Sequence, residues 1–138
     1  MISSKSLFVI LLVFGIGGLA AKTQLPRLVV NFEWSKENLC QNGISPELKI
    51  QGIPIETTKL KWNLTDLQAP AYNHGGGTLV YLGTNTIPKG TLIGYNGPCP
   101  PMNSPHVYKF SIKALDAEGK VIAFGTGKRR CNRWQLRH

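Results

Sequence analysis

Strict alternation of apolar and polar side chains marks two segments in the centre of the chain. Residues 59–64 read KLKWNL, with apolar side chains at every second position. Residues 106–114 read HVYKFSIKA, in which Tyr108, Phe110, Ile112 and Ala114 share one face and polar residues prevail on the other. This period of two is typical of a strand with one buried face. His106 has the same parity as the apolar set, so it is expected on the inward face at the start of its strand.

Three shorter strands are predicted at Arg27–Glu33, Thr78–Leu82 and Lys120–Phe124. The sequence between the last of these and the 106–114 strand is DAEG at residues 116–119, which predicts a hairpin turn. The chain contains 15 Gly and 9 Pro, a composition that favours many short strands joined by turns. Helical periodicity is weak throughout, with Glu33–Leu39 the best segment. A single, mostly β domain is therefore expected.

The N-terminal segment has the pattern of a secretory signal. Lys5 is followed by an apolar or small run from Leu7 to Ala21, and then by Lys22. A basic start, a short apolar stretch and a small-residue exit are typical of a signal peptide, whereas a membrane span takes about 20 apolar residues. Residues 1–21 are predicted to be a signal peptide, residues 22–127 the domain and residues 128–138 a basic C-terminal tail. The protein is expected to be exported, to the periplasm or the medium; a signal retained as an anchor is the alternative.

Charge is high and unevenly placed. The chain has 16 Lys+Arg against 7 Asp+Glu, a net charge of +9. A basic cluster steers anionic partners, and an exported protein meets anionic lipid or envelope polymers rather than nucleic acid. The sequence thus predicts a second class of function, binding to an anionic membrane or envelope surface; a solvated tail without a partner is the structural alternative. The cations concerned are Lys128, Arg129, Arg130, Arg133 and Arg137.

Three cysteines, Cys40, Cys99 and Cys131, lie beyond the predicted signal peptide. Export favours a disulfide, and an odd number leaves one thiol over. All three pairings remain open from the sequence. There is no C-x-x-C, so neither a dithiol redox motif nor the common zinc pattern is present.

Candidate chemistry collects at strand ends and in loops. Asp66 ends the 59–64 segment, His74 opens a glycine run, and His106 and Tyr108 begin the longest strand. Each has an ordinary structural alternative, such as capping a turn or being held by one hydrogen bond. Together, an acid, two imidazoles and a tyrosine would form a small polar pocket whose N–H and O–H donors suit an oxyanion such as phosphate. The neighbouring glycines would let backbone N–H groups approach that ligand.

Enzymatic alternatives lack essential parts. The HGGG run at residues 74–77 resembles the oxyanion segment of lipases and esterases, but the G-x-S-x-G nucleophile motif is absent. The spacing of Asp66, His74 and His106 matches no recognised metal motif, and there is no phosphate-binding loop or dinucleotide fingerprint. No enzymatic activity, metal or cofactor is expected. A small hydrolase with His74 or His106 as the base is the enzymatic alternative.

Four segments carry a resemblance to a known family. They are CQNGISPEL at 40–48, DLQAP at 66–70, GYNGPCPP at 94–101 and HVYKFSIKALD at 106–116. In this order they resemble the phosphatidylethanolamine-binding protein family, and most closely its bacterial Raf kinase inhibitor-like (YbhB/YbcL) branch. The G-P-C-P-P loop followed by H-x-Y is the most specific of these motifs. The similarity extends from about Cys40 to Asp116.

The resemblance implies two antiparallel sheets with a small anion pocket at one end of the larger sheet. Its ligand would be phosphate or a phospholipid headgroup. Matched motif by motif, the binding residues would include His74, although the family places that histidine before a hydrophobic strand rather than a glycine run. The segment DLQAP also lacks the second acid and the first proline of the family's D-P-D-A-P motif. The full predicted set is Asp66, His74, Gly97, Pro98, Pro100, Pro101, His106 and Tyr108.

Overall fold

The computed structural model describes residue 12, residues 15–19, 22–41 and 43–138 of the chain. The predicted signal peptide at residues 1–21 lies for the most part outside these described residues. Within the described part of the chain, no helix is long and apolar enough to cross a membrane.

The described residues form strands joined by turns, with little helix. A 3₁₀ turn at Lys36–Asn38 stands in place of the weak helix expected over 33–39, and a short helix α1 follows the last strand at Arg133–Arg137. The strands are β1 Val29–Asn31, β2 Leu48–Gln51, β3 Lys59–Asp66, β4 Gly76–Val80, β5 Thr86–Ile87, β6 His106–Leu115 and β7 Val121–Cys131.

These strands make two antiparallel sheets, which confirms the predicted fold class. The larger sheet has the order β4-β3-β6-β7 and the smaller one the order β1-β2-β5. One hydrophobic cluster joins the inner faces of both sheets. Its largest members include Leu48 and Ile50 from the smaller sheet and Leu60, Tyr108 and Phe110 from the larger one.

The alternation predicted for β3 and β6 is confirmed in the burial of their side chains. Leu60, Trp62 and Leu64 are at most 2% exposed, and Phe110 and Ile112 are fully buried. The two strands pair in register from Lys59 opposite Leu115 to Asp66 opposite Tyr108, so their apolar faces coincide. Burying these side chains contributes about 1.5–3 kcal/mol each, which is enough to specify this register.

The hairpin predicted at residues 116–119 is also confirmed. Asp116 Oδ1 accepts hydrogen bonds from the backbone N–H groups of Glu118 and Lys120, at 3.0 and 2.8 Å. Gly119 adopts a positive φ of 79°, a conformation that glycine reaches without steric cost. The short aspartate side chain and the glycine thereby reverse the chain between β6 and β7.

Strand β7 is longer than the Lys120–Phe124 segment predicted, and it corrects the expected domain boundary. It extends to Cys131, so the division between a domain ending at residue 127 and a tail from residue 128 falls inside a strand. Two glycines interrupt its apolar pattern because β1 crosses it closely. A Cβ atom at Gly125 would overlap the carbonyl oxygen of Leu28, and one at Gly127 that of Val30.

Replacing Gly125 with alanine tests this close crossing. We expect Gly125→Ala to lower the free energy of unfolding by about 1–3 kcal/mol, because the added methyl group must displace the β1 backbone. Thr126→Ala, on the exposed side of the same strand, is the matched control and should change stability by less than about 0.5 kcal/mol. Urea unfolding curves of the three proteins would measure both effects. Equal stability of Gly125→Ala and the parent chain would contradict the close contact between Gly125 and the Leu28 carbonyl oxygen.

Candidate functional site

The polar cluster lies at one end of the larger sheet, where β3 ends and β6 begins. The antiparallel register places Asp66 opposite Tyr108, and this brings His106 next to the Asp66 carboxylate. His106 Nδ1 lies 2.7 Å from Asp66 Oδ2. The structure therefore brings together three of the residues predicted from the sequence.

The segment that follows Asp66 folds back onto its carboxylate. Asp66 Oδ1 accepts hydrogen bonds from the backbone N–H groups of Gln68 and Ala69, at 2.9 and 3.1 Å. Gln68 Oε1 in turn accepts a hydrogen bond of 2.7 Å from the backbone N–H of Val107. An aspartate that bonds its own backbone two and three residues on fixes a tight turn. The turn holds Asp66 and the start of β6 together.

These contacts keep Asp66 ionised although it is only 3% exposed. Burial raises the pKa of its carboxyl group, but hydrogen bonds from His106, from the Gln68 N–H and from Tyr108 outweigh burial and lower it below its usual value. Burial and the neighbouring carboxylate raise the pKa of the Tyr108 hydroxyl, which therefore stays protonated. Because a carboxylate only accepts hydrogen bonds, His106 must donate from Nδ1, which leaves its Nε2 for another partner.

His74 joins the same cluster from the segment between β3 and β4. Its side chain is buried, and its Nδ1 donates a 2.8 Å hydrogen bond to the carbonyl oxygen of Asn96. The imidazole packs edge-on against the Tyr108 ring, with 5.2 Å between the ring centroids, and against Tyr72 at 4.7 Å. The structure thus places His74 beside Tyr108, where the motif comparison expected the second histidine.

A disulfide ties the proline-rich loop at residues 97–101 to the segment after the 3₁₀ turn. Cys40 is bonded to Cys99, which selects one of the three pairings left open by the sequence, and Cys131 is free and buried. The backbone N–H of Cys40 also donates to the Pro98 carbonyl oxygen at 2.9 Å. The predicted site residues Gly97, Pro98 and Pro100 are buried in this loop, whereas Pro101 is exposed.

Surface access beside the cluster is provided by an open cleft of about 530 Å³. Asn96 and Tyr72, which contact His74, line one side of it, and Arg133 and Arg137 from α1 line another; none of its lining residues is acidic. The remaining lining residues are Leu39, Cys40, Gln41 and Cys99.

Arg133 is the unusual member of this cleft. Its Nη1 donates to the carbonyl oxygen of Pro100 at a long 3.4 Å, and its buried Nε has no hydrogen-bond partner. The sequence pattern predicts Arg133 and Arg137 in a basic tail that binds an anionic surface, with a solvated tail as the alternative, and it does not identify Tyr72 or Asn96. Tyr72 and Asn96 do flank the predicted loops, but no motif distinguished them from ordinary loop residues.

The other cations of the predicted tail separate onto two faces of β7. Arg129 points inward, where its Nε donates to the Phe32 carbonyl oxygen at 3.0 Å and lies 3.2 Å from Glu33 Oε1. Lys128 and Arg130 lie on the outer face of the strand and are exposed. The five residues thus do not form one continuous basic surface.

Comparison with solved structures identifies the same fold in two bacterial proteins. YbcL of Escherichia coli, a member of the mammalian PEBP family, superposes with a TM-score of 0.58 at 18% identity, over 78% of this chain and 98% of its own. CT736 of Chlamydia trachomatis, a phosphatidylethanolamine-binding protein (PEBP) homologue by name, superposes with a TM-score of 0.60 at 20% identity, over 79% of this chain and 98% of its own. No protein-family model and no curated protein matches the sequence. The resemblance read from the four sequence motifs is therefore confirmed at the level of the fold.

The low pKa of Asp66 predicts how stability depends on pH. Folding lowers this pKa below its ordinary value of 3.8, so the ionised carboxylate stabilises the fold at pH values above 3.8. That stabilisation disappears as the pH falls below 3.8 towards the lower pKa of the folded state. At neutral pH we expect Asp66→Asn to cost about 1–3 kcal/mol through its weakened hydrogen bonds. The difference in the free energy of unfolding between this variant and the parent chain should become smaller in acid.

Urea unfolding of both proteins across the acid range would measure this difference. Glu118→Gln, which removes an exposed acid in the 116–119 turn, is the control for the loss of one negative charge and should have little effect. A difference in unfolding free energy between Asp66→Asn and the parent chain that stays constant down to the lowest pH would contradict the assignment of Asp66 as a stabilising, ionised group.

Proposed function

We propose that this chain is a non-enzymatic binding protein that holds a small oxyanion in the cleft lined by Arg133, whose lining residues Tyr72 and Asn96 contact His74. The ligand class is phosphate or the phosphate group of a lipid headgroup. The observation that carries the proposal is the pair of cations, Arg133 and Arg137, that lines a cleft without acidic lining residues.

The guanidinium of Arg133 is planar and always charged, and its Nη atoms can donate hydrogen bonds to an oxyanion in the cleft. Arg137 lines the same cleft and adds a second positive charge. The Tyr72 hydroxyl accepts a 3.4 Å hydrogen bond from Asn96 Nδ2, so its own proton remains free to donate to the ligand.

The buried cluster contacts the cleft through His74, which packs against Tyr72 and donates to the Asn96 carbonyl oxygen. Asp66 fixes the His106 ring, and His74 is held between Tyr108, Tyr72 and the Asn96 carbonyl. Rigid support of this kind keeps the residues at the surface in one geometry. The shared fold with a phosphatidylethanolamine-binding protein homologue favours a phosphate group over a carboxylate as the ligand.

The reactive groups favour binding over hydrolysis. Cys99 is consumed in the disulfide, and burial raises the pKa of the Cys131 thiol to about 11, which keeps it from acting as a thiolate nucleophile. Both histidines of the cluster use Nδ1 in structural hydrogen bonds. The disulfide fits an oxidising compartment, and we extend the proposal to export into the periplasm or the medium.

Calorimetric titration with inorganic phosphate and phosphoethanolamine tests this function. We expect saturable binding that Arg133→Gln weakens by about 10–100-fold, the loss of one charge-assisted hydrogen bond pair at about 1.5–3 kcal/mol. His74→Ala should also weaken binding, because His74 contacts Tyr72 and Asn96, which line the cleft.

Arg130→Gln is the matched control, since it removes an equal charge from the exposed outer face of β7. It should leave the affinity unchanged. Binding that is lost equally in Arg130→Gln and Arg133→Gln, or that is absent from the parent chain, would contradict the proposed site.

A further inference from the structure

The outer face of the larger sheet has a one-sided charge distribution. The alternation that buries the apolar residues of β3 and β6 sends every other side chain outward, and β7 does the same from Phe124 to Arg130. The charged residues at these outward positions are all cations. We call this surface the basic sheet face; it consists of Lys59, Lys61, Lys109, Lys113, Lys128 and Arg130.

The basic sheet face contains no acid to balance these charges. The acids of the chain lie in the smaller sheet and its loops, in the turn at 116–119, in the loop before β3, or buried at Asp66. Among the ion pairs of the described residues, none involves a member of this face.

Two pairs of cations on this face stand directly opposite each other across the strands. Lys61 pairs with Lys113 between β3 and β6, and Lys109 pairs with Lys128 between β6 and β7. Like charges at directly opposed positions destabilise a sheet, whereas a face that serves only solubility is better served by mixed signs. The arrangement therefore indicates a partner that supplies negative charge across the whole face.

The dimensions of the face suit an extended anionic surface as the partner. At about 3.3 Å per residue and about 4.8 Å between strands, the six cations cover roughly 25 by 10 Å. The other outward positions carry small polar side chains, including Asn63, Thr65, Ser111 and Thr126, and apolar ones, including Val80, Val107, Leu115 and Phe124. Five of the six cations are lysines, whose flexible stems place a hydrated charge against a diffuse anionic surface rather than gripping one phosphate.

An aromatic platform for nucleic-acid bases is lacking on this face. Its one aromatic side chain, Phe124, is 37% exposed, and the Arg27 guanidinium lies over its ring at 5.7 Å from the centroid. Binding of single-stranded nucleic acid relies on bases stacking on exposed aromatic rings.

The N-terminal attachment favours a lipid surface over a soluble polymer if the signal segment is retained as an anchor. Residues 26–28 run along the edge of β7, where the Leu28 N–H donates to the Phe124 carbonyl oxygen and the Phe124 N–H donates to that of Pro26. The apolar run that ends before Lys22 is therefore joined to the domain at an edge of this sheet. A bilayer that holds that run as an anchor would lie close to the cations.

We propose that the basic sheet face binds the surface of an anionic phospholipid bilayer. The ligand cleft lies at the end of the sheet, so this surface function is separate from the proposed anion site. Each cation near an anionic bilayer contributes about fivefold to partitioning, the equivalent of about 1 kcal/mol. Binding should be lost at high salt, because exposed charges are screened beyond a Debye length.

Vesicle sedimentation of the full chain tests the proposal. Partitioning onto phosphatidylcholine–phosphatidylglycerol vesicles is compared with that onto pure phosphatidylcholine vesicles, so that any binding by the apolar N-terminal run is subtracted. We expect Lys61→Glu with Lys113→Glu to reduce the anionic-vesicle component by at least about 25-fold. Lys36→Glu with Lys49→Glu, an equal charge change away from this face, should leave that component within about twofold.

A second measurement separates the loss of binding from the loss of structure. The single change Lys61→Glu places an acid opposite Lys113, so its unfolding midpoint should equal or exceed that of the parent chain while partitioning falls. Unchanged partitioning in the double variant would overturn the proposal, as would an equal loss in the control pair. Binding of soluble polyphosphate to this face without binding to vesicles would overturn the assignment of a bilayer as the partner.

Discussion

The antiparallel pairing of β3 with β6 determines the positions of the features on which the proposals rest. Its register sets Lys59 opposite Leu115 and Asp66 opposite Tyr108. Because side chains alternate along both strands, this one register buries the apolar set, turns the lysines outward and brings Asp66 to His106. A slip of one residue would exchange the two faces and separate the acid from the histidine. The core, the polar cluster and the basic sheet face thus depend on the same hydrogen-bond ladder.

Covalent and close backbone contacts then bring the loops to the end of that ladder. The Cys40–Cys99 disulfide and the hydrogen bond from the Cys40 N–H to Pro98 hold the proline-rich loop against the 3₁₀ turn. Helix α1 follows β7 directly and places Arg133 beside Pro100. The cleft is therefore built from four segments distant in sequence, at residues 39–41, 72, 96–99 and 133–137, and its charge comes from the last of them. Its basic character is a product of the fold rather than of any one motif.

The sequence predicted the parts of this structure that depend on local pattern. Period-two alternation located β3 and β6, and the motif order predicted that Asp66 and His106 would meet. The sequence pattern did not predict the full length of β7, because Gly125 and Gly127 lower strand propensity. These glycines are needed only because β1 passes close to β7. The sequence pattern also could not place Arg133. A run of charged residues does not show that alternation along a strand and a following helix will distribute these residues over different surfaces. Such outcomes depend on contacts between segments, which local pattern does not encode.

The proposed function depends above all on Arg133 binding a small oxyanion at the end of the larger sheet. The side-chain Nε–H resonance of Arg133, followed by NMR during titration with inorganic phosphate, reports on this binding. We expect a saturable shift of this resonance and of the Asn96 side-chain amide, with the amides of Thr126 and Lys128 on the outer face unmoved. A titration in which the Arg133 resonance stays in place, while phosphate shifts only residues of the basic sheet face, would contradict the claim.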